Sequence, residues 1–477
     1  MLIRHSAIYV FAKLVPGLLG MVTTAILTRA LDPGRYGLYG LALVVMSFGA
    51  TMGFEWLNIS FMRFYQSRRE DPCVISTVLQ LFAMTVALSA VIFGAILCTG
   101  VLPTSEQSIY EIGMVLVWTY AWFELVAKFE VAEFRPLAYF AMNLQRGVCM
   151  LAGAVGAATL TGDPVWTAAG TAAGVLAGSL RFSPRSSRPR RYTFDKDLAR
   201  EIVVFGIPLA ASMVMGSVVT SGTRAMIEWL GSAEALGYYT AAYVLVQNTL
   251  VMLASGIAAA SYSLAVRAIE TGDPAATRRQ LMDNGTLLLL VMAPVSLGMG
   301  LTANSIAATL VGPKYVVSVA ALTPWLAVGS FFGTIRAHYL DHAFQLGRKP
   351  YLQIRVIGLA AVISVGLSLT LIPRIGPIGA AIAVAIAMAV SCVHAYLEGK
   401  SAYPLPLPVS AAAKIAVGCL AMAVAVHALP GDTSIRFALQ VGVGGMVYAC
   451  CVVALNVLGI RAYLVQHLPA RARSQMH

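Results

Sequence analysis

Residues 28–42 read TRALDPGRYGLYGLA. They join two apolar runs, each long enough to cross a bilayer, whose ~30 Å hydrocarbon core needs about 20 helical residues. About two hundred residues later the pattern returns. Thr223-Arg224-Ala225 repeats Thr28-Arg29-Ala30, and residues 236–242, LGYYTAA, echo residues 36–42, YGLYGLA. With Gly37 laid on Gly237, Tyr39 meets Tyr239 and Ala42 meets Ala242. On this alignment the second copy carries roughly five extra residues between its TRA and its glycine. Each copy follows the first span of a run of about six spans, and internal repeats of whole bundles are a signature of transporter folds.

Composition narrows the class. The 477 residues are 58% hydrophobic and 11% charged, with mean hydropathy +0.78. A soluble domain carries about 25% charged residues. The chain therefore reads as a polytopic membrane protein. Its net charge of +12 is explained by basic residues retained on the cytoplasmic side of a membrane, and no nucleic-acid partner is expected. Seven cysteines show no CxxC spacing and are expected as buried free thiols, with no metal site and no disulfide framework. The N-terminal apolar run contains Lys13 and Pro16 and has no clear small-residue cleavage site, so it reads as the first span.

Span-length runs occur at about 8–28, 38–58, 74–99, 109–128, 137–159, 164–180, 202–224, 238–264, 285–303, 319–340, 352–372, 377–397, 411–429 and 437–458. The expected fold is thus all-α, with about 14 transmembrane helices. If the N-terminus is cytoplasmic, most of the 33 basic residues fall on the cytoplasmic side, and an even span number returns the C-terminus there. The basic, Pro- and Ser-containing stretch RFSPRSSRPRRYTFDKDLAR at 181–200 marks a lobe boundary lying on anionic headgroups. Tyr403-Pro404-Leu405-Pro406-Leu407-Pro408 is a second linker. The expected organisation is a six-helix lobe at 1–182, a basic cytoplasmic linker at 183–200, a six-helix lobe at 201–402, and two further helices with a tail at 403–477. A repeat offset by an even number of spans relates the lobes about the membrane normal, around a central cavity.

Signs of catalysis are scarce, and no catalytic residue, metal or cofactor is expected. Asp195-Lys196-Asp197 has the form of a metal-binding D-x-D string but lies just before the seventh span, where acidic residues favour a helix N-terminus. Arg336, His338, Asp341 and His342 read as an interfacial charge cluster at the end of the tenth span. No Gly-x-x-x-x-Gly-Lys-Ser/Thr phosphate loop is present. Trp118, Tyr120 and Trp122 read as packing or interface aromatics.

Intramembrane cations stand out. Lys13 is mid-span in the first helix, and Arg146 lies in the fifth beside Asn143 and Gln145. Arg29 and Arg224 end the first and seventh spans at places that match by sequence. A charge at the bilayer centre costs ~2.5–3.5 kcal/mol on insertion scales, so such groups snorkel, bind carbonyls, or face a wet cavity. The comparably deep acid is Glu124, which sequence spacing pairs with Lys128 at i+4, leaving Lys13 and Arg146 without an obvious acidic partner. Four cations around a cavity suit an anion such as a pyrophosphate. Pro16-Gly17 and Gly206-Ile207-Pro208 interrupt corresponding helices, which suits packing or bending.

Arg29-x-Leu31-x-Pro33-x-x-Tyr36-Gly37-x-Tyr39, Phe205-Gly206-Ile207-Pro208-Leu209 and Leu236-Gly237-Tyr238-Tyr239, with the span count, resemble a polysaccharide-repeat-unit flippase of the multidrug/oligosaccharidyl-lipid/polysaccharide (MOP) exporter superfamily. The resemblance covers most of the chain. It implies two six-helix bundles around a central cavity, two further helices and alternating access. It also implies export of a polyprenyl-pyrophosphate-linked oligosaccharide across the bacterial inner membrane for O-antigen, capsule or exopolysaccharide. Membrane lipids, a polysaccharide polymerase and glycosyltransferases are the implied partners. Cationic residues in such cavities correspond by position to Lys13, Arg146 and Arg224. A multidrug/cation antiporter of the same superfamily is the alternative, although the first and seventh spans carry basic groups where that class uses acids. A membrane glycosyltransferase or ligase would need catalytic acids or a long external loop, and a non-transporting scaffold would have no use for unpaired cations.

Overall fold

A computed structural model describes residues 2–68, 71, 73–101, 103–180, 193–270, 273–349, 351–429 and 433–461, with side chains other than those of residues 2–13, 209, 259–270 and 434. Helix dominates, and there is no strand among the described residues. Fourteen long helical segments follow in order: α1 (Leu2–Ala30), α2 (Pro33–Ser67), α3 (Cys73–Cys98), α4 (Gln107–Ala132), α5 (Pro136–Thr161), α6 (Pro164–Leu180) and α7 (Lys196–Leu230). Then come α8 (Ala233–Glu270), α9 (Pro274–Leu301), α10 (Pro313–Leu346), α11 (Tyr351–Ile375), α12 (Pro377–Ala402), α13 (Val409–His427) and α14 (Ser434–Ala454), with a short helix Ala303–Leu310 between α9 and α10. Each expected span has its helix. Eleven of these segments are individually long and apolar enough to cross a membrane. Large apolar side chains such as Leu88, Val91, Val362 and Leu420 face outward, as a lipid-facing surface requires.

The ends of these helices follow from local chemistry. Asp195 caps α7 by accepting the backbone N–H groups of Asp197 and Leu198 at 2.9 and 3.0 Å, so the D-x-D string is a helix start. Pro33, Pro136, Pro164, Pro274 and Pro377 stand at helix N-termini, where no N–H is needed. Gly162 and Gly376 end α5 and α11 at φ +64° and +63°, backbone that glycine adopts without strain. The expected interruptions do not occur: α1 passes through Pro16 and α7 through Pro208 as continuous helix. The irregularity in α7 is instead a π turn at Val218–Gly222, and α10 has another at Arg336–Leu340.

Two six-helix lobes pack by one scheme. In the first, α1 lies on α5, α5 on α6, α2 on α4 and α4 on α6. Six helices later, α7 lies on α11, α11 on α12, α8 on α10 and α10 on α12. The lobes meet along α1–α8, α2–α7 and α2–α8, and the same shift of six exchanges the first two crossings. α13 and α14 form a hairpin, with α13 on α9 and α14 on the short helix. The Gly/Ala-rich α6 is held by α5 at backbone distance: a Cβ on Gly153 would enter Gly170, and the reverse. All seven cysteines are free, but only Cys419 is buried; Cys98 and Cys450 are exposed on the bundle's apolar outside, where a small soft side chain is tolerated. Residues 183–192 of the basic linker and Arg471 and Arg473 of the tail lie outside the described residues.

Helix ends correct the alignment of the repeat. α1 and α7 stop at Ala30 and Leu230, and α2 and α8 start at Pro33 and Ala233. The structural offset here is 200 throughout, with no insertion. Arg29 therefore corresponds to Trp229 and Arg224 to Thr24, and the shared TRA triplets are not equivalent positions.

Candidate functional site

Each lobe encloses a cavity, and the two correspond. The first, about 240 Å³, is lined by Pro16, Gly20, Thr24, Tyr39, Tyr120 and Arg146 among others. The second, about 200 Å³, is lined by Gly216, Thr220, Tyr239, Tyr243 and Arg336 among others. Pro16 and Gly216, Gly20 and Thr220, and Tyr39 and Tyr239 are pairs at the offset of 200. Val244 of α8 closes the first cavity from the opposite lobe, so it borders the lobe seam.

Arg146 projects from α5 into the first cavity. Its Nη1 is 3.5 Å from Glu124 Oε1 on α4, and its Nη2 donates to Asn143 Oδ1 at 3.3 Å. The guanidinium also lies over the rings of Phe123 and Tyr120, at 4.4 and 5.8 Å. Arg146 thus has the acidic partner that the sequence did not reveal. Glu124 turns across the α4–α5 interface to Arg146, and no ion pair joins it to Lys128 among the described residues. A charge shared with a carboxylate at 3.5 Å is only partly neutralised, and the side chain lines the cavity.

Arg224 is only 7% exposed and sits where α2, α7 and α8 meet. Its Nη2 donates to Ser221 Oγ at 3.2 Å and to Ser47 Oγ at 3.4 Å, and its Nε to the Thr220 carbonyl at 3.4 Å. Ser47 and Ser221 bond each other across the lobes at 2.9 Å. The guanidinium carbon stands 4.6 Å from the centre of the Tyr243 ring, a cation–π contact. No ion pair to Arg224 is found among the described residues. It is a buried cation held by hydroxyls, a carbonyl and an aromatic face.

Arg29 is not brought to this place. Arg29 is exposed at the end of α1 and donates to the carbonyls of Thr309 and Leu310, at 3.0 and 3.3 Å, capping the short helix. The Lys13 side chain lies outside the described residues; its backbone is in α1.

The lobes are locked together at the α1–α2 turn. Gly312 N–H donates to Thr28 Oγ1 at 3.0 Å, Tyr315 Oη to the Leu31 carbonyl at 3.0 Å, and Lys314 pairs with Asp32. The Lys314 ammonium holds the Asp32 carboxyl below the usual carboxylate range. Backbone contact between Gly37 and Gly237 completes the closure. The two copies of the opening motif therefore lie on one membrane face. At the other end of the α2–α7 seam, Ser60 Oγ donates to the Ile202 carbonyl at 2.8 Å and Arg68 pairs with Glu201 at 2.9 Å.

Sequence reading missed two groups. Tyr120, taken as packing, lines the first cavity beside Arg146. Arg336, taken as interfacial, is buried: its Nη1 is 2.8 Å from Asp341 Oδ2, with side chains 11% and 3% exposed. Asp341 Oδ2 also accepts from Gln353 Nε2 at 3.1 Å. The charged residues of this cluster mimic a solvated helix end, and only the covering helices α11 and α12 reveal their burial. No group of three or more His, Cys, Asp or Glu residues suited to a metal occurs among the described residues.

A family model described as "Polysaccharide biosynthesis protein" matches residues 2–268. No curated protein matches the chain. Among solved structures, the chain is similar to the lipid II flippase MurJ in an inward closed conformation, with TM-score 0.78 at 13% identity over 94% of this chain and 98% of that one. It is similar to an inward-facing multidrug resistance MATE family transporter of the MOP superfamily, with TM-score 0.56 at 16% identity over 83% and 94%. A MOP superfamily transporter from Pyrococcus furiosus gives TM-score 0.56 at 13% identity over 82% and 95%. At these identities the likeness is one of fold.

Proposed function

The chain belongs to the polysaccharide biosynthesis protein family, and from that membership we propose that it is a flippase moving a polyprenyl-pyrophosphate-linked oligosaccharide across the inner membrane for cell-surface or exopolysaccharide synthesis. The observation that carries this reading is Arg224, a buried seam cation with no carboxylate partner among the described residues. A guanidinium so placed offers two-pronged hydrogen bonding to a phosphate when the lobes part. Arg146 adds partly neutralised charge from the first lobe, and Lys13 completes the set from α1. Arg29, committed to backbone carbonyls, serves the closure instead.

The division of labour follows from solvation. A diphosphate and sugars cannot cross hydrocarbon, whereas a polyprenyl tail prefers it. The headgroup would therefore occupy the space between lobes 1–182 and 201–402, joined by the basic segment 183–200, with the tail left in lipid. Alternating access would carry it outward, with the 403–477 helices attached to the second lobe. Both termini would lie in the cytoplasm, and polymerase and glycosyltransferases are the expected neighbours. The antiporter reading needs a carboxylate free to bind a cation, and Glu124 is engaged by Arg146.

The test is flipping of a fluorescent polyprenyl-pyrophosphate glycan in vesicles at matched protein levels. Arg224→Ala should abolish it and Arg224→Lys should retain part. Unchanged rates in Lys13→Ala, Arg146→Ala and Arg224→Ala combined would overturn the cationic site.

A further inference from the structure

The second-lobe cavity is lined by polar groups that make no hydrogen bond among the described residues. The Gln247 amide and the Ser330 and Thr334 hydroxyls line it and make no hydrogen bond among the described residues. Thr334 is only 4% exposed. Arg336 lines it too, and its buried Nε has no hydrogen-bond partner. Gln247 and Ser330 are half-buried and Thr334 is buried, and unpaired polar groups gathered around one cavity point to an occupant with matching donors and acceptors.

The lining selects the chemistry of that occupant. An amide and two hydroxyls both give and accept hydrogen bonds, while the Arg336 Nε–H gives one. Tyr239 and Tyr243 also line the cavity, with their rings stacked on each other at 6.2 Å and 16°. Aromatic side chains beside mixed donors and acceptors suit a sugar ring, which presents C–H faces and hydroxyl edges. An anion fits less well, because the Arg336 charge is already matched by Asp341 at 2.8 Å. A metal cation is opposed by that same guanidinium. A hydrocarbon tail would leave all four polar groups unpaired. Position supports the choice: Tyr243 lines the cavity and also carries Arg224 on its ring. A phosphate held by Arg224 would have the cavity beside it, across one aromatic ring.

We propose that the second-lobe cavity binds one neutral sugar residue of the transported glycan, through Gln247, Ser330, Thr334 and Arg336, against Tyr239 and Tyr243. The assignment of the sugar to a transported glycan rests on the flippase reading above; the sugar site itself is tested without it.

The binding arm is saturation-transfer NMR on the protein in nanodiscs, with a panel of free neutral hexoses, 6-deoxyhexoses and N-acetylhexosamines, and with glucuronate and inorganic pyrophosphate as comparators. At least one neutral sugar should receive saturation. The signal should fall at least fivefold in Gln247→Ala and Thr334→Val and survive in Thr334→Ser. No transfer to any neutral sugar, as for a cavity holding water only, would overturn the proposal, as would equal transfer in the variants or equal competition by pyrophosphate. The transport arm compares flipping of glycan-bearing and bare polyprenyl pyrophosphate. Gln247→Ala should slow the first at least tenfold and leave the second unchanged. Equal slowing of both would mark a merely structural residue and overturn the proposal. If the wild-type protein flips neither, the flippase reading falls and the NMR arm still decides the cavity.

Discussion

Gly37 and Gly237 meet backbone to backbone across the lobe seam, with no room for a side chain on either. A Cβ on Gly37 would lie 3.0 Å from Gly237 N, and one on Gly237 would lie 3.1 Å from Gly37 N. Each would also enter a carbonyl, that of Ala233 or of Pro33. The contact is reciprocal, as an approximate two-fold axis requires. Only glycine allows two helix starts to approach this closely. Gly37→Ala or Gly237→Ala should therefore hold this end of the seam open. Electron-electron distance measurements between spin labels on the α1–α2 turn and the α9–α10 loop should show the longer distance populated, and transport should fall at least tenfold. An unchanged distance distribution would count against the closure.

The same closure should respond to salt. Asp32 and Lys314 are exposed, and exposed pairs are screened as the Debye length shrinks to ~3 Å at 1 M. Raising salt should increase the open population, and Asp32→Asn should remove that dependence. For pH the sign is set by the lowered Asp32 carboxyl. A depressed acid contributes to closure at neutral pH and loses its contribution only as pH falls below the ordinary aspartate range. Between neutral and mildly acidic pH, Asp32 should cause no change in the label distance.

The Arg146–Glu124 pair makes a stability prediction. Removing one partner of a buried pair costs ~3–5 kcal/mol because the other charge is left uncompensated. With side chains 16% and 27% exposed, this pair is partly wetted. Glu124→Ala should cost about 2 kcal/mol, below the fully buried range. Glu124→Gln should cost less, since the amide oxygen still accepts. Unfolding in detergent, followed by helix content, separates the two. Equal losses would mean that the retained acceptor oxygen contributes nothing, and no loss in Glu124→Gln would mean that charge is not what holds Arg146.

The Arg224–Tyr243 contact separates charge from packing. Tyr243→Phe keeps the ring and should preserve transport within about twofold. Tyr243→Leu removes a contact worth ~0.5–2 kcal/mol and should loosen Arg224. Initial flipping rates across the three proteins give the comparison, and identical rates for Phe and Leu would exclude a role for the aromatic face.

Topology is open to a direct check. A cysteine replacing Ser186 in the basic linker should react with impermeant thiol reagents only from the cytoplasmic side, and one replacing Ser105 only from outside. Reversed labelling would invert the assignment drawn from basic residues.

The division between sequence and tertiary structure has a plain physical basis. Hydrocarbon thickness demands that each span be a local run of apolar residues, so the fourteen helices and even the Gly/Ala-rich α6 at Pro164–Leu180 were legible from composition and length alone. Asp195 was legible as a helix start because capping is satisfied within three residues. Partnerships between helices were not. Local spacing pairs Glu124 with Lys128, whereas packing of α4 on α5 turns it to Arg146, 22 residues away. The TRA triplets suggested that Arg29 and Arg224 were equivalent, but helix ends set the frame. Arg29 lies in the last turn of α1 and caps a neighbour, while Arg224 lies well inside α7 and is buried in the seam. Arg336 and Asp341 looked like a solvated helix end, because charge next to a span is ordinarily at an interface. Covering helices bury them and leave Arg336 on a cavity wall. Which charges meet, and which polar groups are left without partners, depends on contacts between distant segments, and those exist only once the bundle has closed.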